Sequence, residues 1–314
     1  MHLLMILATL GLAWLLRLGW KQPTGNWSQR WQKTLLFFLF PPLLIMMTAV
    51  AVLCMGPQGE MMGLHTGWLS YWLVFGGVGI SFCFCLKLGI TAWQSLQRIR
   101  TYPQIELGNR ESGMGNVSEE IKQQGRGCEF VTSSNPPQLG GSSTTARLLE
   151  NSTLFIAQIG FWQPELLVSR GLLHRLQPEY LEAVLTHEQA HHYYRDTFWF
   201  FWLGWVRCCS AWLPNTESLW QELLLLRELR ADSWAAQKVD SLLLAESLLM
   251  MVSTSVMPLE GFCAAFSCAV PRNRLEERID ALLGEGDFSA PSNIWTWSWI
   301  ILALLPLVAV PFHS

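Results

Sequence analysis

Residues 178–195 read PEYLEAVLTHEQAHHYYR, and this segment decides how the rest of the chain is interpreted. Pro178 occupies a first helical position and Glu179 lies in the first turn, which is typical of a helix start. Leu181, Val184 and Leu185 follow at helical spacing, so one face of the segment is apolar. The sequence therefore predicts a helix that packs into a core through that face.

The same helix carries His187, Glu188 and His191 as an H-E-x-x-H motif. Residues four apart lie on one helix face, so both imidazoles can reach a single metal ion. Zinc held in this way lowers the pKa of a coordinated water, and a glutamate beside the first histidine can take that water's proton. The motif predicts Zn²⁺ as the cofactor and Glu188 as the general base.

A catalytic zinc site of this kind needs a third protein ligand. The position that a metzincin fills with a third histidine holds Thr197 here, so that class is not supported. Farther along, Glu228 and Asp232 form a second pair four residues apart in the helix-like stretch 219–238. We expect Glu228 to complete a His₂Glu site and Asp232 to bind the other ring nitrogen of a ligand histidine. The alternative for this pair is a solvated acidic face.

The sequence changes character on the N-terminal side of the motif. Residues 101–150 are rich in Gly, Ser, Asn, Gln and Pro, which predicts a flexible linker. Residues 154–157 and 166–169 are short apolar runs around Gln163-Pro164, and they predict a β-hairpin. The edge of such a hairpin could accept an extended peptide.

Charge is scarce in the chain and unevenly distributed. Charged residues make up 14 % of 314 residues, 21 Lys and Arg against 24 Asp and Glu, while 51 % of residues are hydrophobic. These figures argue against an ordinary soluble domain, a disordered chain and a nucleic-acid-binding protein. Four apolar blocks account for the deficit and predict membrane spans: residues 3–16, 35–55, 68–86 and 294–312. The first block is signal-peptide-like in length but lacks a cleavage site, so we expect it to be retained.

Lysine and arginine predict the orientation of these spans. Basic residues follow the first and third blocks, and the connection 56–67 between the second and third has none. The N-terminus is therefore expected outside and residues 98–291 inside, which predicts an integral protein of a bacterial inner membrane whose active site faces the cytoplasm. A further aromatic run, 197–213, contains Arg207 and is predicted to be interfacial or re-entrant, with a buried core helix or a full span as alternatives.

These residues carry a resemblance to known membrane metallopeptidases. The segments 168–173, 181–191, 195–196 and 228–232 are similar to motifs of two related groups, the HtpX and CAAX prenyl endopeptidases and the BlaR/MecR antirepressor peptidases. The resemblance covers about residues 154–283. It implies a gluzincin-like zinc endopeptidase with His187, His191 and Glu228 as ligands and Glu188 as the catalytic glutamate. It also implies that Arg278, within 272–283, supports the site.

The sequence thus predicts a mainly α, multi-span helical membrane protein with a cytoplasmic zinc protease domain that contains a small hairpin or edge sheet. The predicted segments are a three-span region 1–100, the linker 101–150, the peptidase domain 151–290 and a last span 291–314. BlaR-type receptors carry a penicillin-binding sensor after their last span, and this sequence ends without one, so β-lactam sensing by this chain alone is not expected.

Three functional readings follow from these predictions. The first is a zinc endopeptidase that cleaves membrane or cytoplasmic regulatory proteins. The second is a signal transducer that acts through a partner sensor, and the third is a non-proteolytic zinc-binding membrane protein. The expected partners are a protein or peptide substrate and the lipid bilayer, with a sensor protein or a second copy of the chain as further candidates.

Overall fold

A computed structural model describes residues 2–21, 25–56, 60–61, 64–65, 68–107, 144–254, 274–284 and 298–312. These residues are mainly helical, with one small mixed sheet, so the coarse fold class is confirmed. The helices are α1 (His2–Leu18), α2 (Trp27–Met55), α3 (Trp68–Arg100), α4 (Arg170–Arg175), α5 (Pro178–Tyr193), α6 (Asp196–Cys209), α7 (Thr216–Ala236), α8 (Ser241–Thr254), α9 (Leu275–Leu283) and α10 (Trp299–Ala303), and a 3₁₀ helix follows at Leu305–Phe312.

Two of the described helices are long and apolar enough to cross a membrane, over Trp27–Met55 and Ser70–Arg100. They contain the second and third predicted spans. The first predicted span coincides with α1, which has 17 residues. The last predicted span contains α10 and the 3₁₀ helix at its C-terminal end, and residues 291–297 lie outside the described residues.

Helix α2 continues through Pro41 and Pro42. A proline has no N–H, so the carbonyl four residues before it loses its helical hydrogen bond. For Pro42 this carbonyl belongs to Phe38, and Arg17 of α1 donates to it through Nη2 at 3.1 Å. The other guanidinium branch, Nη1, donates to Thr216 Oγ1 at the start of α7, also at 3.1 Å. Arg17, which is fully buried, therefore ties three helices together.

The sheet contains β3 (Gln104–Leu107), β4 (Thr144–Leu149), β5 (Ile156–Ile159) and β6 (Glu165–Ser169) in the order β3-β4-β6-β5, and β1 (Glu60–Met61) pairs only with β2 (Leu64–His65). Strands β5 and β6 form the predicted antiparallel hairpin. Strand β4 lies parallel to β6, and β3 is antiparallel to β4. The linker prediction is therefore wrong at both of its ends, because these residues form ladder hydrogen bonds. Residues 108–143 lie outside the described part of the chain.

Helix α7 is the centre of the packing. Its leucines are almost all buried, and the helix contacts α2, α5 and α9. Helix α6 precedes it and is joined to it by residues 210–215, so that α6 and α7 form a helical hairpin beside α2 and α3. Phe200 of α6 packs with Phe38 of α2 and Trp220 of α7 in one apolar cluster. This arrangement brings the residues of α5 and α7 that were singled out in the sequence to facing surfaces.

Candidate metal centre

The H-E-x-x-H motif lies on α5, as predicted. Pro178 is at the start of this helix, and Ala183 and Val184 are buried on its inner face. This packing turns His187 and Glu188 inward, and 6 % and 9 % of their surfaces remain exposed. The neighbouring His192 is exposed.

Three side chains converge on one point between α5 and α7. His187 Nε2 lies 3.2 Å from His191 Nε2 and 3.3 Å from Glu228 Oε2. His191 Nε2 lies 3.6 Å from Glu228 Oε1. Nitrogen and oxygen ligands that surround a tetrahedral zinc ion at about 2.0–2.1 Å are separated by roughly 3.3 Å. These distances suit ligands of one small cation, and the Glu228 carboxylate meets each imidazole through a different oxygen.

Glu188 lies beside this point. His187, Glu188 and His191 offer donor atoms within 4.8 Å of one another, so this group could hold a metal ion. Glu228 reaches both imidazoles from α7, so it is a further candidate ligand.

Each candidate histidine ligand has a carboxylate at its other ring nitrogen. Asp232 Oδ1 lies 2.8 Å from His187 Nδ1, an ion-pair contact that is not well aligned as a hydrogen bond. Asp196 Oδ2 lies 2.8 Å from His191 Nδ1 and forms a hydrogen bond with it. A carboxylate in this position fixes the ring so that Nε2 keeps a lone pair for a metal. Asp232 thus lies at the ring nitrogen where it was expected, and its role in orienting His187 stays a prediction.

Asp196 lies at the site although no role was predicted for it, and residues 195–196 were noted only as one of the segments that resemble the metallopeptidases. Arg195 adopts a left-handed conformation with φ of 53°, and this turn ends the motif helix and begins α6. The turn brings Asp196, only five residues after His191, back toward the imidazole. A local signal existed, since an acidic residue stands at the first position of a helix directly after the motif. The sequence does not show that the turn at Arg195 directs the Asp196 side chain toward His191.

Three arginines neutralise the carboxylates around the site. Arg278 of α9 donates to both oxygens of Asp232, each at 2.7 Å, and its Nη1 lies 3.5 Å from Glu228 Oε2. Arg227 contacts Glu228 Oε1 at 2.7 Å, and Arg230 pairs with Asp196. The predicted association of Arg278 with the site thus has a geometric counterpart, a bidentate pair with Asp232.

The electrostatics follow from the burial of these charges. Burial alone would lower the pKa of His191, but the Glu228 carboxylate and the bond to Asp196 raise this pKa to about 10. Burial alone would raise the pKa of Glu228, but Arg227 and the two histidines lower it well below its usual range. The cluster therefore stabilises positive charge at the point where the two Nε2 atoms meet. A dication there would replace both protons and remove the repulsion between the imidazoles.

Comparison with known proteins does not identify the chain. No protein-family model, curated protein sequence or solved structure matches it. The function must therefore be inferred from the site itself.

Proposed function

We propose that this protein is an integral-membrane, zinc-dependent endopeptidase of the type represented by the BlaR/MecR and HtpX/CAAX prenyl peptidases. One observation carries the proposal. The two Nε2 atoms of His187 and His191 lie 3.2 Å apart, each is 3.3–3.6 Å from an oxygen of Glu228, and carboxylates lie at the far nitrogens of both imidazoles. The donor set of two imidazoles and one carboxylate suits zinc, and it leaves one position open.

In the proposed reaction the bound zinc supplies a Lewis acid, which lowers the pKa of water and polarises the peptide carbonyl. Glu188 accepts the proton of the attacking water and returns it to the nitrogen of the leaving amine. Asp196 and Asp232 hold the two imidazoles in the tautomer that binds metal. Arg278 keeps Asp232 ionised, since this bidentate pair lowers the pKa of the carboxyl even though burial raises it.

The membrane part of the proposal extends the orientation that the basic residues predict. Helices α2 and α3 cross the inner membrane, with α1 and the C-terminal apolar segment as the further spans. The metal centre then faces the cytoplasm, because Arg30 and Lys33 precede the apolar part of α2 and Arg98 and Arg100 end α3. Substrates would be membrane proteins or cytoplasmic regulators that come to this face.

The test combines metal analysis with proteolysis. Purified protein should hold about one zinc per chain, as one His₂Glu site implies, and the double variant His187→Ala with Glu228→Ala should hold none. Glu188→Gln should keep zinc and lose cleavage of casein. Glu182→Gln, an exposed glutamate on the same helix, is the matched control and should keep both. Zinc that is undiminished in the double variant would refute the metal site.

A second experiment separates proteolysis from the two alternative readings. Proteins that accumulate in cells carrying Glu188→Ala, relative to wild-type cells, are candidate substrates. A signal transducer without peptidase activity, or a protein that only binds zinc, would show no accumulation that depends on Glu188.

A further inference from the structure

The direction of helix α7 relative to α2 is given by pairs of contacts. Trp27 Nε1 donates to the carbonyl of Leu226 at 3.1 Å, and Arg30 pairs with Glu222 at 2.6 Å. Deeper in α2, the ring of Phe38 lies 6.1 Å from that of Trp220. Residue numbers fall along α7 as they rise along α2. The two helices therefore run antiparallel and side by side.

Helix α6 has the same relation to α3. A side-chain carbon added at Gly204 would lie 3.9 Å from the side chain of Leu88. Trp205 Nε1 donates to the carbonyl of Ser81 at 2.9 Å, and Cys209 Sγ lies 3.2 Å from Ser81 Oγ. Residue numbers again fall along one helix as they rise along the other. The hairpin of α6 and α7 thus lies lengthwise against both candidate membrane helices rather than across them.

The tip of this hairpin, residues 210–215, reaches the level of the apolar parts of α2 and α3. On α2 the last charged residue is Lys33 and the apolar run starts at Leu35, so Phe38 lies roughly 5 Å inside it at 1.5 Å per residue. On α3 the apolar run closes at Lys87, so Ser81 lies roughly 9 Å inside it. At the tip Trp212 is 51 % exposed and stacks on Trp14 of α1.

The metal centre lies at the opposite end of the hairpin. Glu228 is twelve residues from Thr216 along α7, which is about 18 Å, and Asp196 is thirteen residues from Cys209 along α6, which is about 20 Å. Trp220, which lies opposite Phe38, is eight residues or about 12 Å from Glu228, and Cys209, which lies opposite Ser81, is about 20 Å from Asp196. Subtracting the depths of Phe38 and Ser81 places the site roughly 7–11 Å outside the apolar layer. The headgroup layer on one side of a bilayer is about 5–8 Å thick, so the site stands at its aqueous edge.

We propose that the α6–α7 hairpin is a re-entrant element that enters the cytoplasmic leaflet, and that it holds the metal centre at the aqueous edge of the headgroups. The lipid contact is continuous with the exposed apolar side of α3, which includes Phe82, Leu86 and Ile90. Building on the proposed peptidase function, the substrate is then an extended segment outside the bilayer. At about 3.3–3.6 Å per residue, the bond to be cleaved lies at least about two residues beyond the end of a membrane span.

The geometry is tested by thiol labelling of the full-length protein in inside-out membrane vesicles, with the other seven cysteines replaced by serine when Cys208 is labelled and all eight replaced when an introduced cysteine is labelled. Cys208 is exposed on α6 near the tip, and Trp199 is 59 % exposed near its start. We expect Cys208 to resist a charged maleimide and to react with a lipid-soluble one, while Trp199→Cys reacts with the charged reagent at least 10-fold faster. Gln237→Cys, at the exposed end of α7, is the water-side control. Equal reaction at 199 and 208 indicates a helix that lies flat in the interface and overturns the proposal.

The substrate class is tested with a casein-derived peptide that has a single cleavable bond, fused to a single-span protein so that this bond lies 1 or 12 residues from the span. The fusion with the bond at 12 residues should be cut as the free peptide is, and the fusion with the bond at 1 residue should be cut at least 10-fold more slowly. Equal cleavage rates for both fusions would overturn the proposal that the metal centre lies at the aqueous edge of the headgroups. The thiol labelling does not depend on proteolysis. If casein is not cleaved, the proposed function is refuted, and the labelling result still decides whether the hairpin enters the membrane.

Discussion

Replacing Asp196 should weaken zinc binding although this residue does not touch the metal position. Its Oδ2 lies 2.8 Å from His191 Nδ1, and this bond holds the ring with Nε2 toward Glu228. A hydrogen bond to a charged group contributes about 1.5–3 kcal/mol, and each 1.4 kcal/mol is tenfold in affinity. Asp196→Ala is therefore expected to lower zinc affinity by about 10- to 100-fold, the range usual for such outer carboxylates.

The assay is competition for zinc with a chromophoric chelator at pH 7.5, run beside thermal unfolding of the same samples. Asp196→Asn keeps the shape and one acceptor oxygen, so it should lose less affinity than Asp196→Ala. Glu182→Gln, an exposed change on the motif helix, should bind as wild type does. Wild-type zinc affinity in a folded Asp196→Ala protein would refute the inference that this carboxylate orients His191.

Three further predictions use other parts of the molecule. Glu188→Gln should lower casein cleavage by about 10²–10⁴-fold while zinc content measured by atomic absorption stays unchanged, and normal cleavage would remove Glu188 from the role of base. Arg278→Ala leaves the buried Asp232 without its bidentate partner, so unfolding in denaturant should show a loss of about 3–5 kcal/mol, and a loss below about 1 kcal/mol would mean that the pair is not buried in solution. A periplasm-active reporter fused after Ser314 should be active, whereas activity of a cytoplasmic reporter there would reverse the proposed orientation.

The motif helix was the part of the fold most accessible from sequence. Its start at Pro178 and its apolar face are local features, and local periodicity determines both. The pairing of Glu228 with Asp232 on one face was predictable in the same way. That this face meets the motif helix was an inference from the chemistry of zinc, and the contact between His187 and Glu228 agrees with it.

The strands at the ends of the predicted linker were missed because their partners are distant in sequence. Ala146 and Leu148 alternate with polar residues and are buried, which is a weak strand signal inside a polar stretch. Their ladder to β6 is parallel, and a parallel pair depends on a crossover connection rather than on a local turn. The linker prediction used the average composition of residues 101–150, and this average hides the strand signals at the two ends of the region.

The aromatic run 197–213 was ambiguous for a different reason. Its length and its aromatic residues are compatible with an interfacial or re-entrant helix, a buried core helix or a full span. The distinction depends on which neighbours it contacts, and the bond from Trp205 to Ser81 is made across 124 residues. Such a contact leaves no trace in the local sequence.

The buried arginine of α1 has a consequence for how the chain is made. Arg17 emerges from the ribosome early, yet one of its two partners, Thr216, follows 199 residues later. At about 5–20 residues per second this interval is roughly 10–40 s, during which the guanidinium at the end of an apolar helix lacks that partner. The N-terminal helix therefore reaches its final environment only after the α6–α7 hairpin has been synthesised. Chains that stop before residue 216 lack this bond, so we expect them to be degraded faster than the full-length chain in a pulse-chase experiment.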